Sequence, residues 1–323
     1  RTFLYFYGLS ATAGPVKKHY RSISRHNFIL QFFLLFVLCY CPAFAQVPDF
    51  NFRQIGSEEG LNNPNIFNIQ QHENGLMYFT TQNGIYYYDG YSFSRLVIDS
   101  LKSNALETAV IKDEDELFLS VRGEGIASFN LHSGEYRLPD GLKVEANNAN
   151  QILVTDDHAY LLTSQIKLLI IDRRSGTVKQ DEMRRSAEMN VPYCLFKTRA
   201  GKILVGRANG LYDITTGEHK KLPVLSGNPV HALEEDKNGL LLAASGGVIY
   251  KIKDNKIESQ IQPVYNTPES TFLPGGQRTI SRLIADEFGR IWFTSFPDDN
   301  LYLYEFDKVY NIFDALGIQP SLI

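Results

Sequence analysis

Runs of four to six residues rich in Ile, Val, Leu, Tyr and Phe alternate along this chain with short polar turns carrying Asn-Gly, Asp-Gly or Ser-Gly. Apolar runs of that length between such turns predict strands joined by tight hairpins, in which glycine supplies the positive φ. The clearest unit reads Asn65-Ile66-Phe67-Asn68-Ile69, turn Glu73-Asn74-Gly75, Leu76 to Thr81, turn Gln82-Asn83-Gly84, Ile85 to Tyr88, turn Asp89-Gly90, and a weaker outer strand Ser92 to Leu96. Six such units follow one another about every 40 residues, a period that predicts an all-β fold, a β-propeller of four-stranded blades. The blades are expected over approximately 65–96, 107–139, 150–180, 191–222, 229–261 and 279–313.

The outer-turn residues Gly90, Gly134, Gly176, Gly217 and Asn255 lie 44, 42, 41 and 38 residues apart, and the sixth, near Lys308, follows after 53. The extra length falls in Asn266–Gln277, rich in Pro, Gly, Ser and Thr, which predicts a long inter-blade loop, either an excursion on the ligand face or a plain insertion.

Charge changes the picture at the N-terminus. The formal net charge is -4, but residues 1–45 carry five Lys or Arg and no Asp or Glu, so without them 27 basic residues face 36 acidic ones, a net charge of -9. An acidic body offers no footprint for nucleic acid or an anionic membrane surface. A basic stretch from Lys17, an apolar run Phe28–Cys41 and the small-residue pattern ending at Ala45 predict a secretory signal peptide cleaved after Ala45, with residues 46–323 as the propeller. The first methionine is Met77, inside the first unit, and Leu316 to Ser321 reads like the lead into another repeat. The expectation is therefore a fragment of a seven-bladed ring or of tandem propellers. Beyond the leader Cys194 stands alone, in an apolar run, and is expected as a small buried residue.

Candidate chemistry is sparse. His72, His132, His158, His219 and His231 have no second His or Cys at metal-ligand spacing and are expected in turns or at the surface. Gly123-Glu124-Gly125 lacks the third glycine and helix of a phosphate loop and reads as a hairpin; Asp113-Glu114-Asp115-Glu116 lacks the glycine and distal Glu of a calcium loop and reads as a solvated turn. No catalytic residue, metal site or cofactor is predicted. Tyr86-Tyr87-Tyr88, with Tyr91 and Phe93, is the best aromatic surface for a sugar or peptide, against the alternative that a two-sided packed strand buries them.

The lead-in Glu58-Glu59-Gly60-Leu61-Asn62-Asn63 and the block Asn74-Gly75 to Asp89-Gly90 resemble the opening of two-component regulator propeller sensors, the extracytoplasmic regions of bacterial histidine kinases and related regulators. Asp286 to Thr294 is similar to the same Asp-x-x-Gly-x-hydrophobic-Trp pattern with Asp286 and Trp292 in place, whereas Tyr78 replaces the Trp in the first unit. The resemblance implies a ligand-sensing domain outside the cytoplasmic membrane, non-catalytic in this segment, whose parent carries a membrane helix and signalling domains. It further implies an unidentified periplasmic or extracellular ligand, a glycan or oligosaccharide among the candidates, and a homodimer formed through the parent. A strand at Phe50–Ile55 would close the ring against the last blade. The alternatives are a secreted propeller enzyme of the antibiotic-lyase type, which shares a similar repeat, and a secreted adhesion scaffold.

Overall fold

In the computed structural model the apolar runs of the six predicted units become strands, and each group of four hydrogen-bonds in sequence order into one antiparallel sheet, whereas the strand expected at Phe50–Ile55 is absent, residues 52–55 forming no strand. Residues 52–62, 65–101, 106–112, 115–138, 149–163, 167–181, 190–265, 278–297 and 300–317 are described. The signal segment with Cys39 and Cys41, residues Asp113 and Glu114, the expected loop Asn266–Gln277 and the last six residues lie outside them.

The first blade is β1 (Ile66–Gln71), β2 (Met77–Thr81), β3 (Gly84–Tyr88) and β4 (Phe93–Arg95); the second is β5 (Leu106–Ile111), β6 (Glu116–Val121), β7 (Gly125–Asn130) and β8 (Tyr136–Arg137). The third is β9 (Ala149–Val154), β10 (His158–Thr163), β11 (Leu168–Asp172) and β12 (Val178–Gln180); the fourth is β13 (Pro192–Lys197), β14 (Ile203–Arg207), β15 (Gly210–Asp213) and β16 (Lys220–Lys221). The fifth is β17 (Ala232–Glu235), β18 (Leu241–Ser245), β19 (Val248–Lys253) and β20 (Lys256–Ile261); the sixth is β21 (Thr279–Ala285), β22 (Ile291–Phe296), β23 (Leu301–Glu305) and β24 (Lys308–Asn311), followed by a short helix α1 (Ile312–Leu316). This is the all-β propeller of four-stranded blades that the repeat predicts, with six blades set around a central channel.

The second strands of blades two to five are buried on both sides because each is sandwiched between neighbours. Leu119, Leu161, Val205 and Ala243 are all buried, and β14 is buried along its whole length. Apolar clusters fill the spaces between blades one and two, two and three, three and four, four and five, and five and six. Outer strands such as β12 and β16 are exposed, and β20 is buried only at Ile261. Lysines on these edges oppose pairing with another chain.

The lead-in folds onto the first blade. A single 3-10 turn (Ser57–Glu59) is closed by the Glu59 carboxylate, which accepts from the Gly56 N–H at 2.8 Å, and Leu61 is buried with Tyr86 and Phe93. Gly60 has φ +103°, and a Cβ there would lie 2.9 Å from the Phe93 carbonyl oxygen. Both the dihedral and the close approach demand glycine, which gives the Glu-Gly-Leu lead-in a physical reason.

Candidate functional site

The inner strands of all six blades line one cavity of about 670 Å³. Their register is interrupted in the same place. Pairing with the second strand slips between Ile66 and Asn68, Leu106 and Thr108, Ala149 and Gln151, Pro192 and Cys194, and Ile280 and Arg282, so Phe67, Glu107, Asn150, Tyr193 and Ser281 are bulged. In the fifth blade His231 holds the same place, immediately before β17, with its N–H donating to the Ala244 carbonyl at 3.0 Å. A bulge re-aims a side chain out of the pleat and is common beside functional sites. Here Phe67, Asn150, Tyr193, His231 and Ser281 all line the channel.

These residues sit at the start of the inner strands, the end of the channel that also carries the β2–β3 type hairpins and the inter-blade connections. Those connections, 96–105, 138–148, 181–191, 222–231 and 262–278, are much longer than the turns at the opposite end, such as 72–76 and 286–290. Tyr193 is partly exposed, and its ring stacks on His231 at 4.6 Å between centroids and 23° between planes. Burial pushes the His231 pKa down, and its Nδ1 is buried without a hydrogen-bond partner. Deeper in, burial pushes the Glu234 carboxyl up, opposed by the bond it accepts from the Glu235 N–H at 2.9 Å. Arg282 also faces the channel. The mouth thus joins flat aromatic area to amide, hydroxyl and imidazole groups.

Cross-blade clamps hold the channel wall. The Gln151 side-chain amide donates to the Leu195 carbonyl at 2.7 Å and accepts from the Leu195 N–H at 3.0 Å; Asn68 donates to the Ala109 carbonyl and Gln70 accepts from the Ile111 N–H, each at 2.7 Å. Each such bond contributes about 1 kcal/mol net. At the base of the connection between β12 and β13 the fully buried Arg207 donates to the Asp181 carboxylate, to the Asn190 carbonyl at 3.2 Å and to His219 Nδ1 at 3.1 Å, with its guanidinium 5.3 Å from the Tyr212 ring centre. As acceptor from Arg207, His219 Nδ1 must be unprotonated. Burial pushes the His219 pKa down, and the nearby Asp181 opposes that.

The structure separates the sequence candidates. Tyr86 and Phe93 are buried, and Tyr87 and Tyr88 are half-buried and packed against apolar clusters. The proposed aromatic surface is therefore core; Tyr91 alone of that group is fully exposed. Cys194 is the buried small residue expected, its thiol pushed up to about 12 by burial. Gly123-Glu124 is the β6–β7 turn. His231 is not in a turn but half-buried where it lines the channel, and His72, beside the β1–β2 turn, is buried. Among the described residues no group of three or more His, Cys, Asp or Glu is placed to hold a metal ion. The bulge ring escaped sequence reading, because a bulge needs two strands to define it.

The Asp286–Trp292 motif is a turn device. Asp286 Oδ1 accepts from the Phe288 and Arg290 N–H groups at 3.0 Å each, and Oδ2 accepts from Trp292 Nε1 at 3.0 Å. Partial burial pushes its pKa up, but the bonds from Trp292 and Arg290 outweigh this and hold it below the usual carboxylate range. In the first blade His72 takes the Asp place, its Nδ1 accepting from the Asn74 N–H at 3.1 Å, and its ring lies 5.9 Å from Tyr78 in the Trp place. The two departures from the motif thus occur as a touching pair.

No protein-family profile matches the chain, and no curated protein sequence does. Solved structures do. The extracellular domain of a B. thetaiotaomicron protein, described once as a hybrid two-component and once as a one-component system, superposes with TM-scores of 0.59 and 0.61 at 21% identity over 78% and 81% of this chain. This likeness establishes a β-propeller. The chain spans about a third of that domain, 34% and 35% of its length in the two structures. Virginiamycin B lyase from Staphylococcus aureus superposes with a TM-score of 0.55 at 13% identity, covering 77% of this chain and 84% of the lyase.

Proposed function

We propose that this chain is part of an exported, ligand-sensing propeller region of a bacterial two-component-type signalling protein, and that it works by binding rather than catalysis. The observation that carries the reading is the lead-in. Gly56 to Leu61, which resembles the opening of such sensors, is a folded part of the first blade whose Gly60 and Leu61 are each required by packing. A propeller fold shared with a longer bacterial extracellular domain supports it. So does the predicted signal peptide. Among the described residues no helix is long and apolar enough to cross a membrane.

The ligand is assigned to the bulge-lined mouth of the channel. Tyr193 on its His231 support and Phe67 offer stacking faces, while Asn150 and Ser281 offer hydrogen bonds at the rim, a combination suited to a hydroxylated, uncharged ligand such as an oligosaccharide. A ligand touching side chains from several blades has different contacts in different blade arrangements, which is the condition for transmitting a signal. The test is thermal shift with an oligosaccharide panel on residues 46–323. A ligand at about 100 times its Kd stabilises by about 2.7 kcal/mol, and Tyr193→Ala should weaken binding about 3- to 10-fold, the loss of one stacking contact. A ligand bound equally well by Tyr193→Ala removes the mouth assignment; a panel without any stabilising ligand removes the oligosaccharide.

A further inference from the structure

At the end opposite the channel mouth, arginines of the chain occupy one kind of seat, an aromatic ring beside a carboxylate. In the sixth blade Arg290 lies 5.6 Å from the Trp292 ring centre and donates to the Asp286 carboxylate at 2.5 Å. In the second blade Phe118 takes the Trp292 place, since it pairs with Val110 as Trp292 pairs with Ile284. The cation there comes from the next blade: Arg173 lies 4.7 Å from the Phe118 ring centre and 3.4 Å from the Glu116 carboxylate. The first blade carries the seat without the cation. Tyr78, paired with Gln70, holds the ring's place, and Leu76 stands where Arg290 does. Leu131 stands where Arg173 does, its N–H donating to the Asp115 carbonyl at 2.7 Å as the Arg173 N–H donates to that of Asp157 at 2.8 Å. What remains is a cleft of about 510 Å³ whose lining includes Tyr78, Leu131, His72, His132, Glu73 and Asp115, within the size range of small-ligand sites. Among the described residues neither Glu73 nor Asp115 has an ion-pair partner, and the neighbouring Lys112 is paired with Glu116 and Asp156. Tyr78 is 9% exposed, and its hydroxyl makes no hydrogen bond to a described residue.

We propose that this cleft between the first and second blades binds an organic cation from outside the chain, a guanidinium or primary ammonium group, in the place that Arg173 and Arg290 fill elsewhere. Tyr78 supplies the ring face and a hydroxyl acceptor, Glu73 and Asp115 supply the opposing charge, and Leu131 supplies apolar contact for the cation's stem. Burial first, and then the neighbouring Tyr87, push the Tyr78 phenol up, so it stays neutral and accepts from a charged N–H. The acidic body, with a net charge of -9 without the leader, attracts a cation and repels an anion. An arginine or lysine of a partner protein and a free amine share this chemistry. The cleft lies at the far end from the bulge-lined mouth and stands whether or not the mouth takes an oligosaccharide.

The protein is titrated by calorimetry with acetyl-Gly-Arg-Gly-amide, with agmatine, and with acetyl-Gly-citrulline-Gly-amide, whose side chain keeps the shape of arginine without its charge. The expected result is saturable binding of at least one of the two cations with a Kd of about 1 mM or tighter, and no binding of the citrulline peptide. Glu73→Gln combined with Asp115→Asn should weaken that binding about 5-fold, the loss of two exposed ion pairs. Leu131→Arg, which supplies a guanidinium from the position Arg173 uses, should abolish it by filling the seat. Tighter binding of the peptide assigns the cation to an arginine of a partner protein, and tighter binding of agmatine assigns it to a free amine. The proposal is overturned if neither cation saturates by about 10 mM, if the citrulline peptide binds equally well, or if either variant binds like the parent. Should Leu131→Arg fail to fold, the two amide substitutions, both on exposed side chains, decide the matter by themselves.

Discussion

Arg207→Met is the most informative single change in this fold. Arg207 is fully buried in the space between blades three and four and bonds Asp181, itself 3% exposed, at one end of the β12–β13 connection and Asn190 at the other. Methionine keeps the stem volume but leaves a buried carboxylate uncompensated. Removing one partner of a buried ion pair costs about 3–5 kcal/mol, and the Asn190 carbonyl and His219 lose a donor as well. At about 2–4 °C per kcal/mol for a domain of this size, the melting temperature should fall by about 10 °C. The double variant Arg207→Met with Asp181→Leu removes the stranded charge and should recover most of that loss, giving a coupling energy of about 2–3 kcal/mol in a double-mutant cycle read by urea unfolding. An Arg207→Met protein as stable as the parent, or a double variant whose loss equals the sum of the single losses, would refute the reasoning.

Stability should fall as pH drops below about 6.5, because His219 and His231 have folded pKa values below that unfolded value, so the unfolded chain takes up protons first; the loss grows until the folded pKa is passed. His219→Asn, which keeps an acceptor for Arg207, should flatten the melting-temperature profile between pH 7 and about 5.5. Gly206→Ala should destabilise by about 1–3 kcal/mol, since its Cβ would lie 2.5 Å from the Val230 carbonyl oxygen and 2.6 Å from Cys194 Sγ; an unchanged urea midpoint would show that these groups give way freely. Asp286→Ala should cost about 1–2 kcal/mol and shift the emission of Trp292, the chain's one tryptophan, while Asp286→Asn retains most of the turn.

Much of the fold was legible because a propeller is built from local repeats. Glycine-marked turns and apolar runs such as Leu117 to Val121 or Ile203 to Val205 fix hairpins over a few residues, and a hairpin needs no distant partner to be recognised. The burial of Cys194 was readable for the same reason. The aromatic run Tyr86–Tyr88 was ambiguous, because alternation along one strand cannot say whether both of its faces are covered. Leu61 on one side and the second blade on the other settle it as core. His231 and Tyr193 carried no signal: their roles rest on a register slip and on a contact between residues 38 positions apart in different blades.

Strands, their order within each blade and the blade repeat are all written in the residue pattern, since all three follow from contacts between neighbours along the chain. Which side chains meet around the channel, that Arg207 finds Asp181 across an interface, and that Ile69 and Ile284 lie exposed while their counterparts in other blades are covered are all settled by the packing of blade on blade. Those outcomes depend on how whole blades pack against one another, and a period of about 40 residues records that a neighbour is needed without recording what the two faces exchange.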